Sequence, residues 1–311
     1  MKVIIITPFN DIDLVEGGSR SSIKSLISYF DQFLILYSSI QENWKSANFE
    51  FSFIILHSIP FKKKKLKILE KLSNLDVILV DYEHHKTKIR PLAYQIDVEC
   101  DYRLILDVDM YALSPPNFNF KIDAQAMYGS NKYTKNQWEQ ICNFIEAKLP
   151  KYKVLRENVG NINDWSGSEH FLYHLGEINE KIFPYFNNGA ILIRNSFSKE
   201  LKVTLENYTF RYIEYLKKHE GINHQVSVGQ DMIGIAIDNC VKEWQPFEPG
   251  FNFIVQNSFE KSRLMLDSFD IKNVKLFHYI NVPKGSIYEK IVLNKYKEVR
   301  KKYYSIWKLL P

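Results

Sequence analysis

The stretch RLILDVDMYA, residues 103–112, decides how the rest of the chain is read. Leu104, Ile105 and Leu106 form the apolar run of a buried strand, and the run ends on Asp107 and Asp109 with one valine between them. Side chains alternate along a strand, so residues two apart share a face. Two carboxylates held on one face repel unless a cation lies between them. The chain has no phosphate-gripping Walker motif, and hard carboxylate oxygens suit Mn²⁺ or Mg²⁺, ions that complete their shell with substrate phosphates. The alternative for this Asp-x-Asp is a pair of solvated loop aspartates.

Outward from this stretch, the first hundred residues alternate between strand and helix patterns. Val3–Ile6 reads as a buried strand closed by Thr7 and Pro8. EGGSRSSIKSLISYF follows as a glycine-rich turn at Gly17-Gly18 and a helix, with Ser19 as its cap and Ile23, Leu26, Ile27 and Phe30 on one face. FLILY (33–37), FSFIIL (51–56) and DVILV (76–80) read as strands, with helical patterns at about 62–73 and 89–99. Such alternation predicts an α/β fold with a mainly parallel sheet and helices on both faces. Ligands of open α/β sheets sit beyond the carboxyl ends of the strands, where Asp107 and Asp109 fall. Residues 1–113 therefore read as a nucleotide-binding half. Beyond them SPPNFNF breaks the chain, and 129–180 is polar, aromatic and irregular. GAILIR (189–194) returns as a strand, a helix covers about 199–218, another starts near Gln230, and VKLFHY (274–279) is the last strand.

The 311 residues suffice for one large α/β domain or for one domain plus appendages, and 45% hydrophobic content is that of an ordinary soluble globular protein. Aromatic residues reach 14%, as in sugar-handling or membrane-surface proteins. Cys100, Cys142 and Cys240 lie far apart without metal-type spacing, which argues for a reducing compartment. MKVIIITPFND turns polar too soon for a signal peptide, and no window approaches the ~20 apolar residues of a membrane span. A cytoplasmic protein is expected.

The net charge of +5 is concentrated in KKKK at 62–65 and in the tail. The lysine run reads as a solvated helix turn or as a binding patch. From Val292, apolar residues recur at Tyr296, Val299, Tyr303, Ile306, Trp307 and Leu310 among many lysines. Residues 286–311 thus read as a basic amphipathic tail. It either lies in the plane of an anionic membrane or docks on the domain with one face in water. The first reading makes the protein peripheral on the inner face of a membrane. No nucleic-acid recognition motif accompanies the basic residues.

Further polar residues stand at the ends of apolar runs. VKLFHYINVPKG places His278 at a strand end and Lys284 six residues on. A neutral imidazole can be a third metal ligand and a lysine can reach a phosphate, although a histidine ending a strand is also a structural residue. FNNGAILIR sets Asn187 and Asn188 before a glycine and a buried strand. VGQDMIGIAI opens a helix on Gln230-Asp231, where charge complementarity to the helix N-terminus is the simpler reading of the acid.

Taken in order, these segments resemble the GT-A-fold glycosyltransferases, distantly those of glycosyltransferase family 8, which are retaining galactosyl- and glucosyltransferases. That family carries Asp-x-Asp after a hydrophobic strand, then Phe-Asn-x-Gly, an Asp-Gln-Asp helix start and a His-(Phe/Tyr)-x-Gly-x-x-Lys-Pro-Trp segment. An arginine 17 residues before the first aspartate is a further feature, and Arg90 has that spacing. Here Gly229 replaces the first acid of Asp-Gln-Asp, Asn281 stands for the family glycine, KGS replaces Lys-Pro-Trp, and the Gly17-Gly18 segment lacks Asn-x-x-Tyr.

The resemblance spans residues 1–285 and implies a Rossmann-like GT-A domain, its acceptor and sugar half at about 114–285, followed by the helical basic-aromatic tail. It implies Mn²⁺ or Mg²⁺ on Asp107, Asp109 and His278, with a UDP-sugar donor contacted by Thr7, Arg90, Asp107, Asn187 and Lys284. Gln230 would lie near the anomeric carbon and Asp231 on donor hydroxyls. The acceptor implied is a saccharide or glycolipid of cell-surface glycan assembly. Competing readings are a sugar-nucleotide nucleotidyltransferase, faintly echoed by EGGSR, and a nucleotide-sugar-binding relative without turnover.

Overall fold

The computed structural model describes residues 1–10, 27–80, 90–129, 131, 133–154, 169–178, 180–219, 228–256 and 269–305. The predicted turn at Gly17-Gly18 and the helix positions Ser19, Ile23 and Leu26 lie outside these residues, as do Ile306, Trp307 and Leu310. In chain order the elements are β1 (Lys2–Pro8), α1 (Tyr29–Asn43), β2 (Glu50–His57), α2 (Lys63–Leu69), β3 (Leu75–Leu79), β4 (Tyr102–Leu106), β5 (Met110–Ala112) and β6 (Ala124–Tyr128). There follow α3 (Lys135–Ile145), α4 (Glu169–His174), β7 (Phe186–Arg194), α5 (Asn195–His219), α6 (Val228–Cys240), β8 (Trp244–Pro246), β9 (Phe253–Gln256), β10 (Leu276–Asn281) and α7 (Ile287–Tyr304). Seven strands form a mainly parallel sheet in the order β3-β2-β1-β4-β7-β6-β8, and three form a second sheet, β5-β10-β9.

The chain divides into two compact units. The first comprises Met1–Ala93, Leu104–Asn117 and Gly250–Pro311. Its strands β1, β2 and β3 pair in parallel, Val3 against Phe51 and Phe53 against Leu75. Val3, Ile4, Ile5 and Ile6 are all buried, which is why this strand reads as a continuous apolar run without alternation.

FLILY is not a strand. It lies inside α1, whose cap Ser28 accepts a hydrogen bond from the Asp31 N–H. Every residue from Phe30 to Ile40 is buried, Asp31 and Gln32 included, so apolar side chains occur all round the helix and its amphipathic period is weak.

The smaller sheet sets β10 antiparallel to β5, His278 opposite Met110, and parallel to β9. After it, Ser286 caps α7 by accepting the Glu289 N–H. Tyr288, Val292, Lys295, Val299 and Tyr303 are buried on one stripe of α7, which packs on α1. The apolar face expected to enter a membrane is, over the described residues, turned onto the domain: the docked-helix alternative is the one observed. Its exposed face keeps Lys297, Arg300, Lys301 and Lys302. Lys295, 4% exposed, donates to Glu42 and Glu298. Burial works against its charge, yet these hydrogen bonds hold its pKa above the ordinary value.

The second unit comprises Tyr94–Arg103 and Phe118–Pro249. There β6 pairs antiparallel with β7 and parallel with β8, while α5 packs on α3 and α6, and α6 on β7. The stretch expected to be irregular contains α3, entered by a capping box: Thr134 accepts the Gln137 N–H, and the Gln137 side chain accepts from the Thr134 N–H. Trp138, Ile141, Cys142 and Ile145 form its buried face. Among the described residues, no helix is long and apolar enough to cross a membrane.

Candidate active site

β4 delivers its chain at the sheet's carboxyl end and stops at Leu106. Asp107, Val108 and Asp109 make the bend into β5, so the two aspartates belong to a turn and not to the alternation of a strand. They converge nonetheless. The Tyr279 N–H donates to the Asp109 carbonyl at 2.9 Å and fixes β10 beside the bend. That register brings His278 Nε2 to 3.0 Å from Asp109 Oδ1 and 3.9 Å from Asp107 Oδ2. One ligand atom from each of the three residues lies within 4.8 Å of the others.

This set fits a hard divalent cation. An octahedral ion with ligands at about 2.1 Å holds them about 3 Å apart when adjacent and about 4.2 Å when opposite, a range that includes both histidine distances. Asp109 and His278 are 3% and 4% exposed, while Asp107 is partly open. Two buried or half-buried carboxylates and an imidazole are costly without a compensating positive charge. Arg90, at the head of a 3-10 turn, supplies some of it by pairing its Nη1 with Asp107 Oδ1. Nδ1 of His278 is buried without a hydrogen-bond partner among the described residues.

The other residues expected in the site are placed as follows. Thr7, in β1, is fully buried and its Oγ1 has no hydrogen-bond partner among the described residues. Lys284 is exposed in the turn between β10 and α7, where Gly285 takes φ +82°, a backbone region natural to glycine. All of these belong to the first unit.

Asn187, Gln230 and Asp231 belong to the second. Asn187 sits in a bulge: β6 pairs Ala126 with Ile191 but the next residue, Met127, with Asn187. The Asn187 Oδ1 accepts the Gly189 N–H at 2.8 Å and stabilises the bulge, a device that re-aims side chains at sheet edges and active sites. Asp231 opens α6 and is 3% exposed. Two phenols hold it: Tyr185 donates to Oδ1 at 2.8 Å and Tyr212 to Oδ2 at 3.2 Å. Tyr133 is hydrogen-bonded to Tyr212 in turn. Burial first, and the Asp231 charge second, push the pKa of Tyr185 and of Tyr212 far above the usual phenol range, so both keep the proton they donate. This clamp was not read from the sequence. The available signal was Tyr208, Tyr212 and Tyr215 on the inner stripe of α5, since a buried tyrosine needs a partner for its hydroxyl.

Gly234 makes the clamp possible by letting α6 approach the chain before β7. A Cβ there would stand 1.3 Å from the Pro184 carbonyl oxygen. Apart from the clamp, α4 carries the buried pair His170 and His174. His170 Nδ1 lies 2.9 Å from the Tyr128 carbonyl oxygen, and burial together with His170 pushes His174 well below its ordinary pKa.

The fold is that of the GT-A glycosyltransferases, with the Asp-x-Asp bend at the end of its sheet strand. Among solved structures, the chain is similar to the galactosyltransferase LgtC in complex with donor and acceptor sugar analogs, at 13% identity and TM-score 0.51 over 96% of each chain. An active-site mutant of LgtC gives 12% identity and TM-score 0.50 over 96% of each chain. The apo bifunctional enzyme WbbM covers 97% of this chain and 52% of its own, at 12% identity and TM-score 0.48. No protein-family model matches the sequence. No curated protein matches it either.

Proposed function

We propose that the protein is a metal-dependent glycosyltransferase. It moves a hexose from a nucleotide-sugar, UDP-linked, to a saccharide or lipid-linked saccharide acceptor, with retention of anomeric configuration, in cell-surface glycan assembly. The observation that carries this reading is the convergence of Asp107, Asp109 and His278 at the end of a strand, in a chain with a glycosyltransferase fold. The LgtC neighbour holds donor and acceptor sugar analogs, the two ligands this reading requires.

Asp107, Asp109 and His278 would hold the ion, and Arg90 orients Asp107 through their ion pair. A bound Mn²⁺ or Mg²⁺ would place positive charge where the departing diphosphate develops negative charge. Lys284 adds a second positive charge on that leaving group. Asn187 and Asp231 hydrogen-bond sugar hydroxyls, with Asp231 fixed by its two tyrosines so that little ordering remains for the moment of reaction. Gln230 presents a weakly nucleophilic amide to the anomeric carbon. The active-site mutant among the neighbours exchanges a glutamine for a glutamate, which supports testing Gln230 first.

Thermal unfolding with Mn²⁺ and a panel of nucleotide-sugars tests the reading, because a ligand that binds only the folded state stabilises it, by about 2.7 kcal/mol at a hundredfold excess over Kd. One sugar donor with Mn²⁺ is expected to raise Tm, and Asp109→Ala or excess EDTA to remove both that rise and slow donor hydrolysis. Full turnover in EDTA, or in Asp109→Ala, would refute the metal assignment.

A further inference from the structure

The lysine-rich segments around 62–73 and in the C-terminal helix take no part in the proposed reaction. Within the first unit, however, they meet. A cleft of about 350 Å³ is bounded by α1, by the turn that follows α2 and by the end of α7. Lys45, Lys71 and Lys302 stand around it, one from each segment, and all three are exposed. Among the described residues none of the three is in an ion pair. Glu42 of α1, the acid of the lining, is engaged by Lys295 of α7. The hydroxyl of Tyr37 is committed to Ser73, donating to its carbonyl at 2.9 Å. Gln41, also in the lining, has an amide nitrogen buried without a hydrogen-bond partner among the described residues.

We propose that this cleft binds a phosphate-bearing ligand, either a free phosphorylated small molecule or the headgroup of an anionic lipid. Three ammonium groups around one concavity repel each other unless an anion joins them, and the single acid of the lining, Glu42, is turned onto Lys295, which it shares with Glu298. Lysine serves phosphate as a compact, strongly charged donor. The volume falls at the lower end of the ~300–1,000 Å³ of small-molecule sites, enough for a phosphate with a few carbons attached. The three lysines are 26 and 231 residues apart in sequence, by subtraction of 45 from 71 and of 71 from 302, so the cleft is a product of the fold and not of one basic run.

Binding of the full chain to sn-glycerol 3-phosphate, and to phosphatidylcholine vesicles with and without phosphatidic acid, tests the proposal. EDTA throughout keeps the carboxylate site out of the measurement. Lys71→Ala/Lys302→Ala is expected to weaken binding roughly tenfold or more, since each lysine near an anionic group contributes on the order of 1 kcal/mol. Lys297→Ala/Lys301→Ala removes the same charge from residues outside the lining and is expected to leave binding nearly unchanged. Both pairs are exposed, and Tm confirms that each variant folds. This pattern with glycerol phosphate assigns the site to a free ligand; the same pattern only with phosphatidic acid vesicles assigns it to a headgroup. Equal weakening by the two pairs would reduce the effect to diffuse charge and overturn the proposal, as would failure of the wild type to bind either probe.

Discussion

At the residue scale, Asp231 is a buried carboxylate of the second unit that accepts from two phenol hydroxyls. Tyr185→Phe leaves the shape of the core intact and removes one donor from a buried oxygen. The loss is expected to cost about 1–3 kcal/mol of stability, read from the urea midpoint. In an Asp231→Asn background it is expected to cost clearly less, because the charge that made the bond strong is gone. Equal costs in both backgrounds would mean that Tyr185 only fills space. A second residue sets a pH limit. His174 has its pKa depressed by burial and by His170, while the unfolded chain titrates near the ordinary ~6.5. Below that value the unfolded state takes up a proton that the folded state refuses, so stability falls as the pH falls, by up to about 1.4 kcal/mol per pH unit. His57 is depressed by burial in the same direction and leaves a remaining slope. His174→Gln is therefore expected to shrink the difference in urea midpoint between about pH 7 and about pH 5 without abolishing it. The Asp107, Asp109 and His278 cluster was legible in the sequence because each residue stands at or near the end of an apolar run, where a polar side chain needs a reason. The tyrosine clamp was not, since its members lie 46 and 19 residues from Asp231 and meet only through packing.

At the element scale, α6 depends on a close approach to the chain before β7. Gly234→Ala would drive a methyl into the Pro184 carbonyl, a backbone atom that cannot turn aside as a side chain can. Overpacking of this kind costs about 1–3 kcal/mol or more, and the helix must shift to relieve it. The expected result is a lower Tm together with altered near-ultraviolet circular dichroism, because Tyr185 and Tyr212 would change their surroundings. Gly229→Ala meets no heavy atom of the described residues within 4 Å and serves as the control. The strands read correctly from sequence, β2 and β3 among them, are those bounded by polar or turn residues. FLILY failed because a short apolar run is the same in a central strand and in a helix buried on all sides, and only length and caps separate them. Ser28, followed at the third position by Asp31, was such a cap signal. Thr134 with Gln137 was another, hidden in a stretch judged by its polarity.

At the scale of the whole molecule, the C-terminal helix decides whether the tail is an appendage or part of the core. Tyr288, Val292, Val299 and Tyr303 of α7 are buried, and Tyr304 donates to Asp31 at 2.6 Å. Each such buried side chain contributes about 1.5–3 kcal/mol relative to exposure. Four of them together rival the ~5–15 kcal/mol that holds an ordinary domain folded. Ending the chain after Ser286 is therefore expected to give a protein that aggregates or is degraded, although every residue assigned to the reaction precedes the cut. The milder Val292→Ala removes part of one buried side chain and is expected to lower stability by about 1–3 kcal/mol while leaving the chain soluble. A truncated chain that stays in solution with the Tm of the full protein would show that the α1–α7 contact contributes nothing and would return the stripe to the membrane reading. Co-sedimentation with anionic vesicles lost on truncation would then be the decisive second measurement, since an apolar stripe free of the domain couples insertion to headgroup attraction.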